Sequence, residues 1–379
     1  MPQTWRELAD QLLELQPGMV ESLEGKSCEE LRHAIAGYYF DPEKHLPQLS
    51  PMCGYDATME FSERGNDFWE DYKRGWVAEP KIDEIRMLIF FYKGQIRLQS
   101  RGRHKNTQLY HETTQNFPQF QKLYHGELEG TILDGGMVAG LGNRTRNLWK
   151  DNDLLKMMSI TGSKAETAIG IQREEGWARY IIFDIIKYKN IWVTKMWEND
   201  EFYRGDAWPL ETRRSMTLAL AERFRNFGID ALPQWRRDIR DKYNYVVKTG
   251  GEGIMLKRSG SLYKFKRDMD WRKVKRYEDV VCFVHSKKRD GNRAWEGLVG
   301  SLNVADADGN IIGSVGTMTL ERRKELSMPD GTLNPAYVGR KILMRFYKKH
   351  ADTGNPRHAR LIGWIGEDIN EEETIKEEV

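Results

Sequence analysis

Lys81-Ile82-Asp83-Glu84-Ile85-Arg86-Met87-Leu88-Ile89-Phe90-Phe91-Tyr92-Lys93-Gly94-Gln95-Ile96-Arg97-Leu98-Gln99-Ser100 is the stretch on which the fold turns. Two runs, Ile85 to Tyr92 and Gln95 to Ser100, flank Lys93-Gly94, the pattern of two strands joined by a tight turn. Thr131-Ile132-Leu133 and Tyr180-Ile181-Ile182-Phe183 read as further strands, as do Ile254-Met255-Leu256 and Trp271-Arg272-Lys273-Val274-Lys275. Between them, residues 210–226 have the pattern of an exposed amphipathic helix, and 234–249 that of a second. Antiparallel strands with interspersed helices define an α+β class.

Outward from this centre the texture changes twice. Towards the amino terminus, Thr4 with Glu7, and Ser27 with Glu30, have capping-box spacing ahead of apolar positions Leu8, Leu12, Leu13 and Leu15, and of Leu31 and Ile35. Residues 40–58, with Pro42, Pro47, Pro51 and Gly54, read as an extended connection. Phe68, Trp69 and Tyr72 form an aromatic patch that leads into the strand before Lys81. Beyond Tyr277 the pattern is almost purely β: Val280 to His285, Leu298 to Val304, Ile311 to Val315 and Lys341 to Tyr347, separated by turns such as Arg289-Asp290-Gly291. So many short strands in one stretch suit a small β-barrel of the OB type. The expected organisation is an acidic, mainly helical extension over 1–75, a central domain over 76–277, an OB-fold barrel over 278–368 and an acidic tail over 369–379.

A chain of 379 residues suits two or three domains. Its net charge of +2 hides a strong asymmetry. Residues 1–75 carry 7 basic and 15 acidic side chains, residues 367–379 carry 1 and 7, and the body between them is +16. A positive body suits a polyanionic partner, because phosphate contacts release counterions. Cys28, Cys53 and Cys282 are too few and too scattered for a disulfide framework or a structural zinc site. No apolar run approaches the roughly 20 residues of a membrane span and no signal-peptide pattern is present, so a cytoplasmic, membrane-free protein is expected.

Five short motifs stand in order: Lys81 to Arg86, Leu133-Asp134-Gly135-Gly136, Phe183-Asp184, Glu252-Gly253-Ile254-Met255-Leu256-Lys257, and Trp271 to Lys275. A lysine that attacks phosphorus must be neutral, whereas its ordinary pKa is about 10.4. Burial and nearby cations favour the neutral form, and Lys273 and Lys275 are the expected neighbours. Those two lysines alternate, so they point to one face of a strand and can reach one phosphate. Trp271 shares that face, where it packs beside them or in the core. Phe183 is either a core residue or an aromatic surface for a base.

This ordered set resembles the ATP-dependent DNA ligases of the nucleotidyltransferase superfamily, particularly the short ligases of bacteriophages. The resemblance spans roughly residues 76–368. It implies an antiparallel adenylation domain followed by an OB-fold barrel, and a covalent bond between Lys81 and AMP. It further implies that Glu79 reads the adenine amino group, that Asp83 belongs to the nucleotide site, and that Arg86 contacts the sugar or the nick. Arg101, in Ser100-Arg101, would grip phosphate, Phe183 would stack on adenine, and Lys257, Lys273 and Lys275 would hold phosphates. Glu252 would bind a metal ion, Mg²⁺ or Mn²⁺. A monomer that seals nicked double-stranded DNA is the implied whole, with Arg101, Arg103, Lys287, Lys288, Arg357 and Arg360 on the nucleic acid. An RNA ligase, a capping-type nucleotidyltransferase or a non-catalytic nucleic-acid-binding relative would share parts of the pattern.

Two departures are specific to this chain. The family has glycine after the motif aspartate where this sequence has Glu84, and glutamate after Asp-Gly where it has Gly136. One motif gains a carboxylate and the other loses one. Glu84 is therefore expected to supply the missing charge to the ribose or the metal, against the alternative that it points to solvent. Glu127 and Glu129 are further candidates. At the far end, Trp364 or Ile365 stands near where such ligases carry a basic residue, which leaves Arg357 and Arg360 as substitutes.

Overall fold

Lys93 and Gly94 take positive φ, 50° and 81°, as a two-residue turn between twisted strands requires. Around this turn the computed structural model pairs Ile85–Tyr92 with Gln95–Arg103, Tyr92 opposite Gln95 and Met87 opposite Ser100. The structure describes residues 3, 5–15, 26–139, 149, 153–193, 196–198, 201–203, 206–291, 295–349 and 354–369. The Thr4 cap and the tail from residue 370 onward lie outside the described residues.

The hairpin sits inside a seven-stranded sheet. Its order is Ile229–Ala231, Arg179–Tyr188, Ile132–Val138, Ile85–Tyr92, Gln95–Arg103 and Tyr110–Glu112, with Ile191–Trp192 paired to Arg179–Tyr188. A second sheet has four strands in the order Cys53–Asp56, Arg267–Lys275, Gly253–Arg258 and Trp76–Lys81. Apolar residues of both sheets meet in one cluster: Ala78, Ile254, Leu256 and Val274 from the smaller, Val138 and Ile181 from the larger. Phe68, Trp69 and Tyr72 join that cluster from the helical turn Gly65–Tyr72, so the aromatic patch is core.

Arg179–Tyr188 is buried on both faces. Tyr180 and Ile182 enter a second apolar cluster, while Ile181 belongs to the first and Phe183 packs against it. That double burial explains its continuous apolar run. Arg267–Lys275 behaves alike, with Trp271 in one cluster and Val274 in the other.

The chain divides into two compact units, Met1–Val274 and Lys275–Val379. In the first unit, Trp5–Leu15 and Cys28–Tyr39 are helices that bury Leu8, Leu12, Leu31 and Ile35 together. Ser27 and Glu30 complete the expected capping box: Ser27 Oγ accepts from Glu30 N–H at 3.3 Å and Glu30 accepts from Ser27 N–H at 2.6 Å. Two expectations need correction. The connection at 40–58 contains a strand, Cys53–Asp56, which pairs in parallel with Arg267–Lys275. The helix Leu210–Phe224 is anchored rather than exposed, because Arg213 is fully buried and bound to Asp184 at 2.7 Å.

The second unit holds a five-stranded antiparallel sheet in the order Ile311–Val315, Val299–Ala305, Glu278–Asp290, Lys341–Phe346 and Arg360–Trp364. Thr317, two residues beyond Ile311–Val315, bridges Arg360, so the chain leaving one outer strand meets the other at one point. Its core gathers Cys282, Val284, Leu302, Ile342 and Trp364, and a helix at Leu320–Leu326 interrupts the expected all-β run. Among the described residues, no helix is long and apolar enough to cross a membrane.

Candidate active site

Lys81 ends the strand Trp76–Lys81, opposite Gly253. That register brings Glu252 beside it, and Lys81 Nζ donates to Glu252 Oε2 at 2.7 Å. The two side chains are 19% and 16% exposed, so the pair lies in a recess that a ligand can still enter. The expectation of a cationic surround is corrected here. Burial pushes the ammonium towards neutrality, but the charges of Glu252, Glu84 and Asp83 and the Glu252 hydrogen bond outweigh it. Lys81 therefore holds its proton more firmly than an ordinary lysine. A buried charge must be paired, and carboxylates are the partners of Lys81.

Behind Lys81 a buried network fixes the floor. Arg86 Nε donates to Asp134 Oδ1 at 2.5 Å, Arg86 Nη2 bonds the other oxygen, and Tyr263 Oη donates to Asp134 Oδ2 at 2.7 Å. Arg86 also reaches the Met52 carbonyl at 3.2 Å, and Met52 N–H donates to Tyr263 Oη at 2.9 Å. Burial opposes the charge on Arg86, yet Asp134 raises its pKa above the ordinary value. The same burial and the Asp134 charge push the Tyr263 phenol well above its ordinary value. The network orients Arg86 under Phe183, its guanidinium 5.0 Å from the ring centroid. Gly135 admits this packing: a Cβ there would stand 2.3 Å from the Ile181 carbonyl oxygen and 2.5 Å from the Tyr180 ring.

The opposite wall is also tied down. Lys257 Nζ lies 2.8 Å from Glu79 Oε2, donates to the Phe183 carbonyl at 2.9 Å, and sits 4.3 Å from the Trp271 ring centroid. Gln234 Nε2 donates to Glu79 Oε1 at 3.0 Å. Both charged residues are almost wholly buried. Phe183 is only partly buried, which leaves part of its ring for a ligand.

The structure thus brings Glu79, Lys81, Asp83, Glu84, Arg86, Phe183, Glu252 and Lys257 into one neighbourhood within the first unit. Lys273 lies on the adjoining strand with Nζ 3.8 Å from Asp56 Oδ2. Lys275 opens the second unit, 4.5 Å from the Tyr347 ring centroid. Arg101 is exposed and lines a groove with Arg32, Arg103, Lys105, Lys266 and Arg267. Arg103 is held there by Glu29 at 2.7 Å and Tyr110 Oη at 2.8 Å. In the second unit, Lys287 donates to Asp290 at 2.6 Å and Lys288 to Ser314 at 3.0 Å, while Arg357 and Arg360 lie on the strands Pro356–Arg357 and Arg360–Trp364. Glu127 pairs with Arg223, and Glu129 accepts from Lys93 N–H and Tyr124 Oη. Tyr263 and Gln234 are site-building residues that sequence reasoning missed; nothing in a lone tyrosine or glutamine marks such a role.

Among the described residues no group of three or more His, Cys, Asp or Glu converges to hold a metal ion. Glu252, a single carboxylate beside Lys81, is the donor type that binds an ion together with a nucleotide's phosphates.

Residues 61–275 match the family model described as the ATP dependent DNA ligase domain. The multifunctional non-homologous end joining protein LigD of Pseudomonas aeruginosa is 27% identical over 203 residues, covering 53% of this chain and 20% of that protein. The chain therefore spans about a fifth of the length of that curated relative. The solved structure of a Lig E DNA ligase, described as DNA binding with a minimal scaffold, superposes with a TM-score of 0.55 at 18% identity, covering 85% of this chain and all of that one. Pmar-Lig_PreS3 superposes with a TM-score of 0.59 at 17% identity, covering 95% and 83%. At these identities the likeness is one of fold.

Proposed function

This chain belongs to the family of the ATP dependent DNA ligase domain, and from that membership we propose that it seals 5′-phosphate/3′-hydroxyl nicks in duplex DNA through a lysyl-AMP intermediate. The observation that carries the reading is Lys81 at a strand end, mostly enclosed, with Glu252 at 2.7 Å. Phe183 and the Arg86–Asp134 pair stand in the same pocket.

The chemistry then runs in three transfers. Lys81 loses a proton and its nitrogen attacks the α-phosphorus of ATP, forming an N–P bond as the bond to pyrophosphate breaks. The AMP passes from Lys81 to the 5′-phosphate oxygen at the nick. The 3′-hydroxyl oxygen then attacks that phosphate, AMP leaves, and the phosphodiester is closed. Glu252 and Lys81 separate before the first transfer, since an ammonium locked to a carboxylate has no lone pair to offer. Glu252, together with the triphosphate, would hold Mg²⁺ or Mn²⁺, which would supply neutralisation of the departing charge. Phe183 offers its ring face to the base, and Glu79 and Lys257 hold the wall beside it. Lys273 and Lys275 are the cations we assign to the phosphates.

The second unit, in this reading, is an OB-type barrel; its strand order and the Thr317–Arg360 bridge support that assignment. Arg101, Arg103, Lys287, Lys288, Arg357 and Arg360 would meet backbone phosphates rather than base edges, as a sequence-tolerant enzyme requires. We take the protein to act as a monomer in the cytoplasm of its cell. Incubation with α-labelled ATP and a nicked duplex tests the whole reading. Wild type should carry covalent label and seal the nick, and Lys81→Ala should lose both. A Lys81→Ala protein that still takes label would refute the assignment, and preferential labelling by GTP or sealing of nicked RNA would move it to another nucleotidyltransferase.

A further inference from the structure

Glu84 makes no hydrogen bond or ion pair with another described residue, whereas its neighbours Glu252, Asp134 and Glu79 are each bound to a cation. It stands in the field of Lys81 and Arg86, and burial raises its carboxyl above the ordinary range despite both. Its place depends on Gly136. A Cβ at residue 136 would stand 2.7 Å from Glu84 Cγ, 2.9 Å from Glu84 Cβ and 3.0 Å from Phe183 Cζ. Glu84 thus reaches over the paired strand Ile132–Val138 into the space a side chain at 136 would fill, a space that Phe183 also borders.

We propose that Glu84, seated over Gly136, is the acceptor for the ribose hydroxyls of the bound nucleotide and sets the preference for a ribonucleotide. The inference rests on the reading above, which puts the base on Phe183 and the α-phosphorus at Lys81. The sugar is the covalent link between those two groups, and Glu84 is the carboxylate beside both. Its two oxygens are acceptors without a hydrogen-bond partner among the described residues, and vicinal hydroxyls are donors that need two. A metal is the poorer occupant, because the charged partners of Glu84 that favour its ionised form, Lys81 and Arg86, are themselves cations. Glu127 and Glu129 are engaged elsewhere and do not compete for the role.

The test titrates the full-length protein with α,β-methylene-ATP, which cannot transfer its AMP, and with the 2′-deoxy and 3′-deoxy forms of the same analogue. Wild type should bind the ribose form about tenfold or more tighter than either deoxy form, the weight of hydrogen bonds to a charged acceptor. Glu84→Ala should lose affinity for the ribose form only, which brings the ratio near one. Glu84→Gln, which keeps the side chain's shape, guards against misfolding and should lower the ratio in the same direction. Gly136→Glu alone should collide with Glu84 and bind poorly, while the double change Glu84→Gly with Gly136→Glu should return a carboxylate to the same space and restore the ratio. An unchanged ratio in both Glu84 variants overturns the inference. So does an equal loss for all three analogues that added Mg²⁺ repairs, since that marks a metal ligand. If wild type binds none of the analogues and takes no label from ATP, the ligase reading itself has failed. Labelled wild type with a Glu84-independent ratio sinks only the ribose assignment.

Discussion

In the proposed reaction Lys81 has to surrender a proton, and its surroundings hold that proton in place. Burial alone would release it; Glu252, Glu84 and Asp83 prevent that. The folded-state pKa of Lys81 is raised, so the ion pair stabilises the fold fully below the ordinary lysine pKa, and that contribution is lost as pH rises through the folded value. The reactive amine gains population in the same upward direction. Self-adenylylation at saturating ATP should therefore quicken as pH rises from neutral, and Glu252→Gln should move the rise to lower pH while raising the Mg²⁺ concentration needed for a half-maximal rate. A profile whose rise is unmoved by Glu252→Gln would show that Glu252 does not govern the proton. Lys81 and the carboxylates Asp83, Glu84 and Glu252 are each legible in the ordered motifs, but the bond between Lys81 and Glu252 is not. Glu252 is 171 positions away, and only the Gly253–Lys81 register brings it near.

At the scale of elements, the helix Leu210–Phe224 shows why a surface pattern misleads. Its charged residues suggest solvent, yet Arg213 donates from Nε to Asp184 at 2.7 Å and from Nη1 to the Ser261 and Trp208 carbonyls at 2.8 and 2.7 Å. Asp184 follows Phe183 on Arg179–Tyr188, so this ion pair braces the strand that presents the aromatic ring. Removing one partner leaves a buried charge uncompensated, at a cost of about 3–5 kcal/mol. Arg213→Ala should lower the thermal midpoint markedly and weaken nucleotide binding with it. Replacing both partners, Arg213→Met with Asp184→Leu, should recover most of the stability. A single variant as stable as wild type would deny the brace. The Lys93-Gly94 hairpin was readable because turn and alternation are local signals. The strand Cys53–Asp56 was not, since its partner lies more than 200 residues away and its flanking Pro51 and internal Gly54 read as a loop. Gly54 is itself explained by that pairing: a Cβ there would stand 3.0 Å from the Trp271 carbonyl oxygen.

Across the whole molecule, charge is the property that composition conceals and order reveals. A net +2 predicts little affinity for a polyanion, while the +16 body predicts a strong, salt-sensitive one. Arg101 stands exposed in the basic groove of the first unit, and Lys288 lies on the surface of the second with only Ser314 as its hydrogen-bond partner among the described residues. If each neutralises one duplex phosphate, each contributes about 0.9 to the slope of log affinity against log salt. Arg101→Ala and Lys288→Ala should then each flatten that slope by roughly one unit, alike on nicked duplexes of unrelated sequence. Neither change should alter the thermal midpoint by more than about 0.5 kcal/mol equivalent, since neither side chain is buried. Slopes that stay at the wild-type value in both variants would remove these residues from the interface. A flattening confined to one duplex sequence would mean base readout, which the proposed nick sealing does not allow for.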